Sequence, residues 1–314
     1  MASSSSASKP RFRRRRLLRW LIGATLLFAL IYLGISAAMV QQLTLTTRRS
    51  VVNNPAISGL NFENIAFPSL HGDLTLRGWL LKADADQGRV VIMVHGHNAA
   101  RDDDRSGMYR VAQALLEQHF SVLMFDLRGC GQSEGERFSL GWFEQQDVRG
   151  AIKFAERRGY RHIGLLGYSM GGAASLLAAA DEPTVQAVVE DSGYADLLDV
   201  LDREVPRRSG LPGIFTPGIV LMAKVMYGIE ADAVKPAAAA ARLVPRPLLV
   251  IHVQADQLIP FESAERIWRA RYGSGPLDPA TYYLVPGADH SQAFRTDNLV
   301  YMQKVGDFFE QHLK

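Results

Sequence analysis

Residues 163–172 read IGLLGYSMGG, and this stretch decides the fold. An apolar run ends at Gly-Tyr-Ser-Met-Gly, and a pattern of small, helix-forming residues follows at once. The order predicts a strand, a sharp turn and a helix. Ser169 at the turn would adopt a strained backbone conformation, and only small residues two positions away allow strand and helix to pass so closely. Gly167 and Gly171 meet that requirement.

A serine at such a turn is a candidate nucleophile. The turn holds its hydroxyl above the carboxyl edge of the sheet, at a helix N-terminus whose dipole favours negative charge. Because glycine and serine are common, the string alone is weak evidence. The predicted strand before the string and the predicted helix after it are the context that a nucleophilic serine requires.

The charge of the chain is unevenly distributed. Residues 1–49 hold nine basic residues and no acidic one, which leaves 26 of the 35 basic residues to face all 32 acidic residues. The remainder is therefore mildly acidic, which argues against a nucleic-acid-binding protein. Cys130 is the only cysteine, so no intrachain disulfide can form.

An N-terminal membrane anchor is predicted. Residues 17–40 are apolar after Arg19, and a helix of about twenty apolar residues can cross a bilayer. The arginines at 11–16 outweigh Arg48 and Arg49 on the other side. Positive residues favour the cytoplasmic side, so residues 1–16 are expected to form a cytoplasmic tail and the rest of the protein to lie outside the cytoplasm.

The alternative is a cleaved signal peptide. Ser36-Ala37-Ala38 would be its small-residue cleavage site, and the mature protein would then be secreted or periplasmic. The apolar stretch is long for a signal peptide, which favours the anchor.

Residues 41–58 are expected to form a polar linker, and 59–314 a single domain. Apolar runs at 60–67 and 74–82 flank a turn and predict an antiparallel hairpin. After it, strands alternate with helices, which predicts an α/β fold with a doubly wound, mainly parallel sheet. Strands are predicted at 89–96, 120–126, 163–166, 185–190, 247–252 and 281–285, and helices at 102–117, 142–158 and 291–313.

A lid insertion is predicted at about 192–242. This stretch is richer in proline and glycine than the rest and too long for a simple crossover. Four of its apolar residues fall on one helical face: Phe215, Ile219, Met222 and Met226. They indicate either a lid that packs on the core or the apolar wall of a substrate pocket.

A catalytic serine needs a base, and His290 is the candidate. It follows the last predicted strand, at the sheet edge where Ser169 also emerges. Asp256, in the loop after the preceding strand, would orient the imidazole and gives the chain order Ser, Asp, His. Asp191 is the rival acid, because it also follows a buried strand. Asp289 is expected to cap a loop.

The tetrahedral intermediate of acyl transfer needs hydrogen-bond donors for its oxyanion. The backbone N–H of Met170, directly after the nucleophile, is one candidate, and that of His97 is the other. The sequence contains no metal-ligand spacing and no nucleotide-binding glycine motif. No metal, cofactor or nucleic-acid partner is therefore predicted.

Together these motifs resemble the α/β-hydrolase superfamily, in its serine esterase, lipase and serine-peptidase-like branch, over about residues 57–314. The resemblance implies a sheet of the α/β-hydrolase type, a short helical lid, a Ser-Asp-His triad and an acyl-enzyme. Val253 stands where relatives often have glycine. The motifs that carry the resemblance are His95-Gly96, the loop 126–135, Gly167 to Gly172, the Asp256 loop and Gly287-x-x-His290.

The predicted function is therefore a membrane-anchored serine hydrolase that cleaves carboxylic esters or thioesters of small-molecule or lipid acyl groups. A serine peptidase of the same fold is one alternative, although no propeller domain precedes the hydrolase. A non-catalytic binding protein on this scaffold is the other, although every triad position has a candidate.

Overall fold

Eight strands form one sheet in the order β1-β2-β4-β3-β5-β6-β7-β8. The computed structural model describes residues 10–314, with side chains from Arg14 onward. Residues 1–9, the first part of the expected basic tail, lie outside the described residues. The strands are β1 (Glu63–Pro68), β2 (Thr75–Leu81), β3 (Arg89–Val94), β4 (Ser121–Phe125), β5 (His162–Tyr168), β6 (Val185–Asp191), β7 (Leu248–Val253) and β8 (Tyr282–Val285).

Ten α-helices accompany the sheet within residues 10–314. They are α1 (Pro10–Thr44), α2 (Met108–Glu117), α3 (Glu144–Arg157), α4 (Met170–Asp181), α5 (Leu197–Ser209), α6 (Thr216–Tyr227), α7 (Pro236–Ala241), α8 (Glu262–Tyr272), α9 (Ala293–Thr296) and α10 (Asn298–His312).

The predicted doubly wound, mainly parallel sheet is confirmed. The β1–β2 hairpin and the β2–β4 pair are antiparallel, and strands β3 to β8 are all parallel. The central strands are buried on both faces, because alternate residues of β3 enter different apolar clusters. Helices α3, α4, α7 and α8 cover one face, and α2, α9 and α10 cover the other.

Two predicted helices have different bounds in the structure. Helix α2 begins at Met108 and not at 102, because Asp102 Oδ2 accepts the backbone N–H groups of Val52 (2.7 Å) and Asn53 (3.1 Å) and does not cap a first turn. The predicted helix 291–313 is two helices, and Asp297 caps the second of them. Helix α8 was not predicted.

Helix α1 is 35 residues long, and residues 14–44 of it are long and apolar enough to cross a bilayer. Most of its side chains are exposed, but its last turns lie against α6. The residues after it follow the surface of the domain: Thr46 donates its N–H to Glu136 O (3.0 Å) and Arg48 donates to Ser133 O (2.6 Å). The expected linker region is thus tied to the loop that follows β4.

Candidate active site

The turn between β5 and α4 has the geometry expected of a nucleophile elbow. Ser169 has φ 52° and ψ −120°, a conformation that non-glycine residues rarely adopt. A Cβ atom at Gly167 would lie 2.4 Å from Gly171 O, and one at Gly171 would lie 2.4 Å from Val94 O. Larger residues at these positions would therefore force apart the strand, the helix and the neighbouring strand.

Three predicted residues from different elements lie within hydrogen-bonding distance of one another. Ser169 Oγ is 2.8 Å from His290 Nε2, and His290 Nδ1 is 2.6 Å from Asp256 Oδ2. With its proton on Nδ1, the imidazole donates to the carboxylate and accepts from the serine hydroxyl. Asp256 Oδ1 also accepts the backbone N–H groups of Leu258 (2.9 Å) and Ile259 (2.8 Å). The loop backbone thus fixes the carboxylate that faces the imidazole.

The rival acid, Asp191, is directed elsewhere. Its Oδ1 accepts the hydroxyl of Ser192 at 2.7 Å, and its Oδ2 accepts the hydroxyl of Tyr301 from α10 at 3.0 Å. Burial raises the pKa of Asp191, and these two hydrogen bonds only partly oppose the rise.

The pKa of Asp256 shifts in the other direction. Burial tends to raise it, but hydrogen bonds from His252 and His290 outweigh burial and leave the pKa well below its usual value. His252 Nε2 lies 3.4 Å from Asp256 Oδ2 and 3.0 Å from Ile259 O. Asp256 therefore stays ionised, and it can stabilise a positive imidazolium on His290.

The two residues predicted to supply the oxyanion donors, Met170 and His97, lie near Ser169. Met170 is the first residue of α4, where a backbone N–H has no acceptor within the helix. The loop before His97 packs against the elbow, since a Cβ atom at Gly96 would lie 3.2 Å from Ser169 Cβ. Burial, with the charge of Arg208 nearby, lowers the pKa of His97 to about 4. The His97 ring is thus neutral near pH 7 and packs edge-on against Phe138.

Two cavities of different character meet at Ser169. The polar cavity, of about 540 Å³, is lined by Ser169, His290 and many charged side chains. Its arginines are Arg49, Arg105, Arg207 and Arg208. The apolar cavity, of about 110 Å³, is lined by Ser169, Met170 and mostly aliphatic side chains of α5 and of neighbouring loops.

The four predicted pocket residues on the lid do not line either of these two cavities. Ile219 is buried against Val40 of α1, and Phe215 and Met222 pack on the same cluster. The side chain of Met226 is 37% exposed. Phe215, Ile219 and Met222 therefore form an apolar face that packs against α1, and Met226 is not part of it. The apolar wall next to Ser169 comes mainly from α5.

Some residues at the site were not predicted. Leu197 and Leu201 of α5 line the apolar cavity, as does Leu43 of α1. The helical spacing of the apolar residues in α5 could have indicated Leu197 and Leu201. Nothing in the sequence indicated that α1 reaches the site. Within residues 10–314, no cluster of three or more His, Cys, Asp or Glu side chains is arranged to hold a metal ion.

Known proteins with similar sequences and structures agree with this architecture. The family model for the alpha/beta hydrolase fold matches residues 89–216. The uncharacterized protein YfhR of Escherichia coli K12 is 26% identical over 78% of this chain and 80% of its own length. The uncharacterized protein YqkD of Bacillus subtilis is 26% identical over 79% of this chain and 80% of its own length.

Among solved structures, the Pyrococcus furiosus esterase Pf2001 superposes with a TM-score of 0.68 at 21% identity, over 86% of this chain and 99% of its own. At 21% identity, this similarity is evidence for a shared fold alone. The elbow, the strand order and these comparisons together show that this protein has the α/β-hydrolase fold.

Proposed function

We propose that this protein is a membrane-anchored serine hydrolase that cleaves carboxylic esters, or thioesters, through an acyl-enzyme. The observation that carries the proposal is the chain of short contacts from Ser169 Oγ through His290 to Asp256. A hydroxyl is a poor nucleophile unless a base accepts its proton, and the base works best when a third group orients it.

The proposed reaction has two halves. In the first, Ser169 Oγ attacks the substrate carbonyl while its proton moves to His290 Nε2, and the oxyanion is held by the N–H groups of Met170 and His97. The intermediate collapses when the bond to the alcohol or thiol breaks and His290 returns the proton to that leaving group. In the second, His290 takes a proton from water, the water oxygen attacks the acyl carbon, and Ser169 leaves with the proton.

The shape of the site favours an ester whose two parts differ in polarity. The apolar cavity beside Ser169 suits an alkyl acyl group, because burying each methylene contributes up to about 0.8 kcal/mol. The polar cavity, which is lined by Ser169 and His290, would receive the alcohol and the attacking water. Pf2001 is named an esterase, which supports the same class of reaction here.

The test is the substitution Ser169→Ala, with Ser175→Ala as the matched control. Ser175 lies in α4, the helix that begins directly after Ser169; its hydroxyl is buried and has no hydrogen-bond partner among the described residues. We expect Ser169→Ala to lower kcat/KM for p-nitrophenyl butanoate by about a thousandfold or more, and to abolish labelling by a fluorophosphonate. Ser175→Ala should keep both. Persistent labelling of the Ser169→Ala protein would remove Ser169 from the nucleophile role.

The anchor and its orientation are part of the proposal. Arginines 14–16 and Arg19 precede the apolar stretch of α1, and positive residues favour the cytoplasmic side. An export-dependent reporter fused after Lys314 should therefore be active, and the purified membrane protein should retain residues 17–40. Activity of a cytoplasm-only reporter at that position would refute the orientation, and a mature N-terminus near Met39 would indicate a cleaved signal peptide.

A further inference from the structure

The last turns of α1 are built into the hydrolase domain. Tyr32 donates its hydroxyl to Ile214 O (2.7 Å), accepts the N–H of Gly218 (2.9 Å), and stacks on Phe215 with ring centres 5.1 Å apart. A Cβ atom at Gly218 would lie 2.4 Å from Ser36 Oγ. Helices α1 and α6 therefore pack closely in a specific register.

Backbone hydrogen bonds hold the C-terminal end of α1 as well. Phe138 donates its N–H to Thr44 O at 2.9 Å, and Leu45 forms a bridge with Arg137. Val40 is 1% exposed and packs with Val205 of α5. These contacts fix the position of Leu43, which lies between Val40 and Thr44 in sequence.

Leu43 lies where two cavities approach each other. It lines the apolar cavity that contains Ser169 and Met170. It also lines a second apolar cavity, of about 50 Å³, which is lined in addition by Val40 of α1 and Ile219 of α6. The residues that line both cavities are Leu43, Phe138, Leu140, Leu197 and Leu201.

The shared wall suggests a single route for an alkyl chain. All five shared side chains are apolar, and aliphatic side chains can change rotamer to admit a chain at modest cost. A chain too long for the apolar cavity would pass Leu43 and enter the second apolar cavity between α1 and α6. Both cavities are lined mainly by apolar side chains, so an alkyl chain would contact carbon atoms in each of them.

We propose that the acyl chain of the substrate follows this route, so that α1 forms part of the substrate site and the natural substrates are long-chain carboxylic esters. The inference rests on the proposed esterase function. Leu43 is then a specificity-determining residue outside the predicted hydrolase domain. Each methylene placed beyond Leu43 would add binding energy that a short acyl chain cannot use.

The experiment compares p-nitrophenyl butanoate with p-nitrophenyl dodecanoate, using the full-length protein in detergent micelles. Leu43→Trp should obstruct the shared wall, and Leu43→Phe should do so less. Leu30→Trp is the matched control, since Leu30 is on the same helix but 71% exposed. The measurement is the ratio of kcat/KM for dodecanoate to that for butanoate.

We expect Leu43→Trp to lower this ratio about tenfold or more, which equals about 1.4 kcal/mol or two buried methylenes. Leu43→Phe should lower it less, and Leu30→Trp should leave it unchanged. Melting temperature and fluorophosphonate labelling of Ser169 identify a variant that has not folded, and Leu43→Phe then decides the question.

A folded Leu43→Trp or Leu43→Phe protein with the wild-type ratio would overturn the inference. That failure differs from failure of the proposed function. In the latter case the wild-type protein would hydrolyse neither ester and Ser169 would not be labelled.

Discussion

Two carboxylates stand at the ends of neighbouring strands, and the structure gives them opposite environments. Asp191 is the last residue of β6, and Asp256 lies in the loop after β7. The first is covered by Tyr301 and hydrogen-bonded to hydroxyl groups. The second receives two backbone N–H groups and faces two imidazoles. Position along the sheet edge therefore does not decide which acid can serve a base.

The two carboxyl groups differ in the hydrogen-bond donors that surround them. Burial alone raises the pKa of a carboxyl group, and donors that prefer the charged form lower it. The pKa of Asp191 stays raised because burial dominates. The pKa of Asp256 is lowered because hydrogen bonds from His252 and His290 outweigh burial. An acid that stabilises an imidazolium has to be charged and in contact with it; Asp256 keeps its charge because its pKa is lowered, and its Oδ2 lies 2.6 Å from His290 Nδ1.

The largest expected effect comes from removing that charge. Asp256→Asn should lower kcat for butanoate ester hydrolysis by about a thousandfold to ten-thousandfold, because the amide cannot stabilise the protonated His290 or hold its tautomer. Steady-state kinetics over a pH range that includes neutrality measure the loss.

Asp191→Asn is the matched control for this prediction. It changes the same atoms one strand away, and we expect kcat to fall by less than about tenfold. Its melting temperature should fall, since the contact with Tyr301 is altered. If Asp191→Asn were the more damaging of the two for kcat, the acid role would move to β6.

The order of the strands, and of most of the helices between them, was predictable from the sequence. Buried strands such as 185–190 appear as short apolar runs between turn signals, and the elbow is marked by Gly167 and Gly171. The proximity of Ser169 and His290 follows from the same pattern, because the carboxyl ends of parallel strands meet at one edge. Short sequence patterns were therefore sufficient to predict the strands and the elbow, which depend mainly on residues close together in the chain.

The remainder depended on contacts between distant residues. The start of α2 was misplaced because Asp102 binds the backbone some fifty residues earlier in the chain. Periodicity correctly grouped Ile219 and Met222 on one face of α6, but it does not say which element covers that face. That partner is α1. Asp191 and Asp256 could not be ranked for a similar reason, since the position of Tyr301 is not a local property.

The smaller expected effect concerns Glu190, which precedes Asp191 in β6. It is fully buried, and burial raises its pKa to about 8. Its Oε1 accepts the N–H of Gly193, and its Oε2 has no hydrogen-bond partner among the described residues. The neighbouring His252 opposes the rise of the Glu190 pKa, and the neighbouring Asp191 adds to it. Burial therefore raises the pKa of Glu190, as it raises the pKa of Asp191.

Because its folded pKa is raised, Glu190 keeps its proton in the folded protein at pH values where the unfolded chain has lost it. Between pH 4.5 and about 8 the folded state binds more protons, so stability falls as pH rises through this window. The integrated loss is at most about 5 kcal/mol. Glu190→Gln stays neutral at all pH values, and its amide oxygen can still accept the Gly193 N–H.

The free energy of unfolding of wild-type and Glu190→Gln proteins should therefore diverge with pH. At pH 5 the two should be similar, and by pH 9 the variant should be the more stable by a few kcal/mol. Urea unfolding at several pH values measures the difference, and groups common to both proteins cancel in the comparison. Asp256→Asn should give the opposite trend at low pH, because a lowered pKa contributes stability that is lost as pH falls. If the difference in free energy of unfolding between wild type and Glu190→Gln stayed constant from pH 5 to pH 9, Glu190 would be ionised in the folded protein. The buried carboxyl group of β6 would then be charged, as Asp256 is.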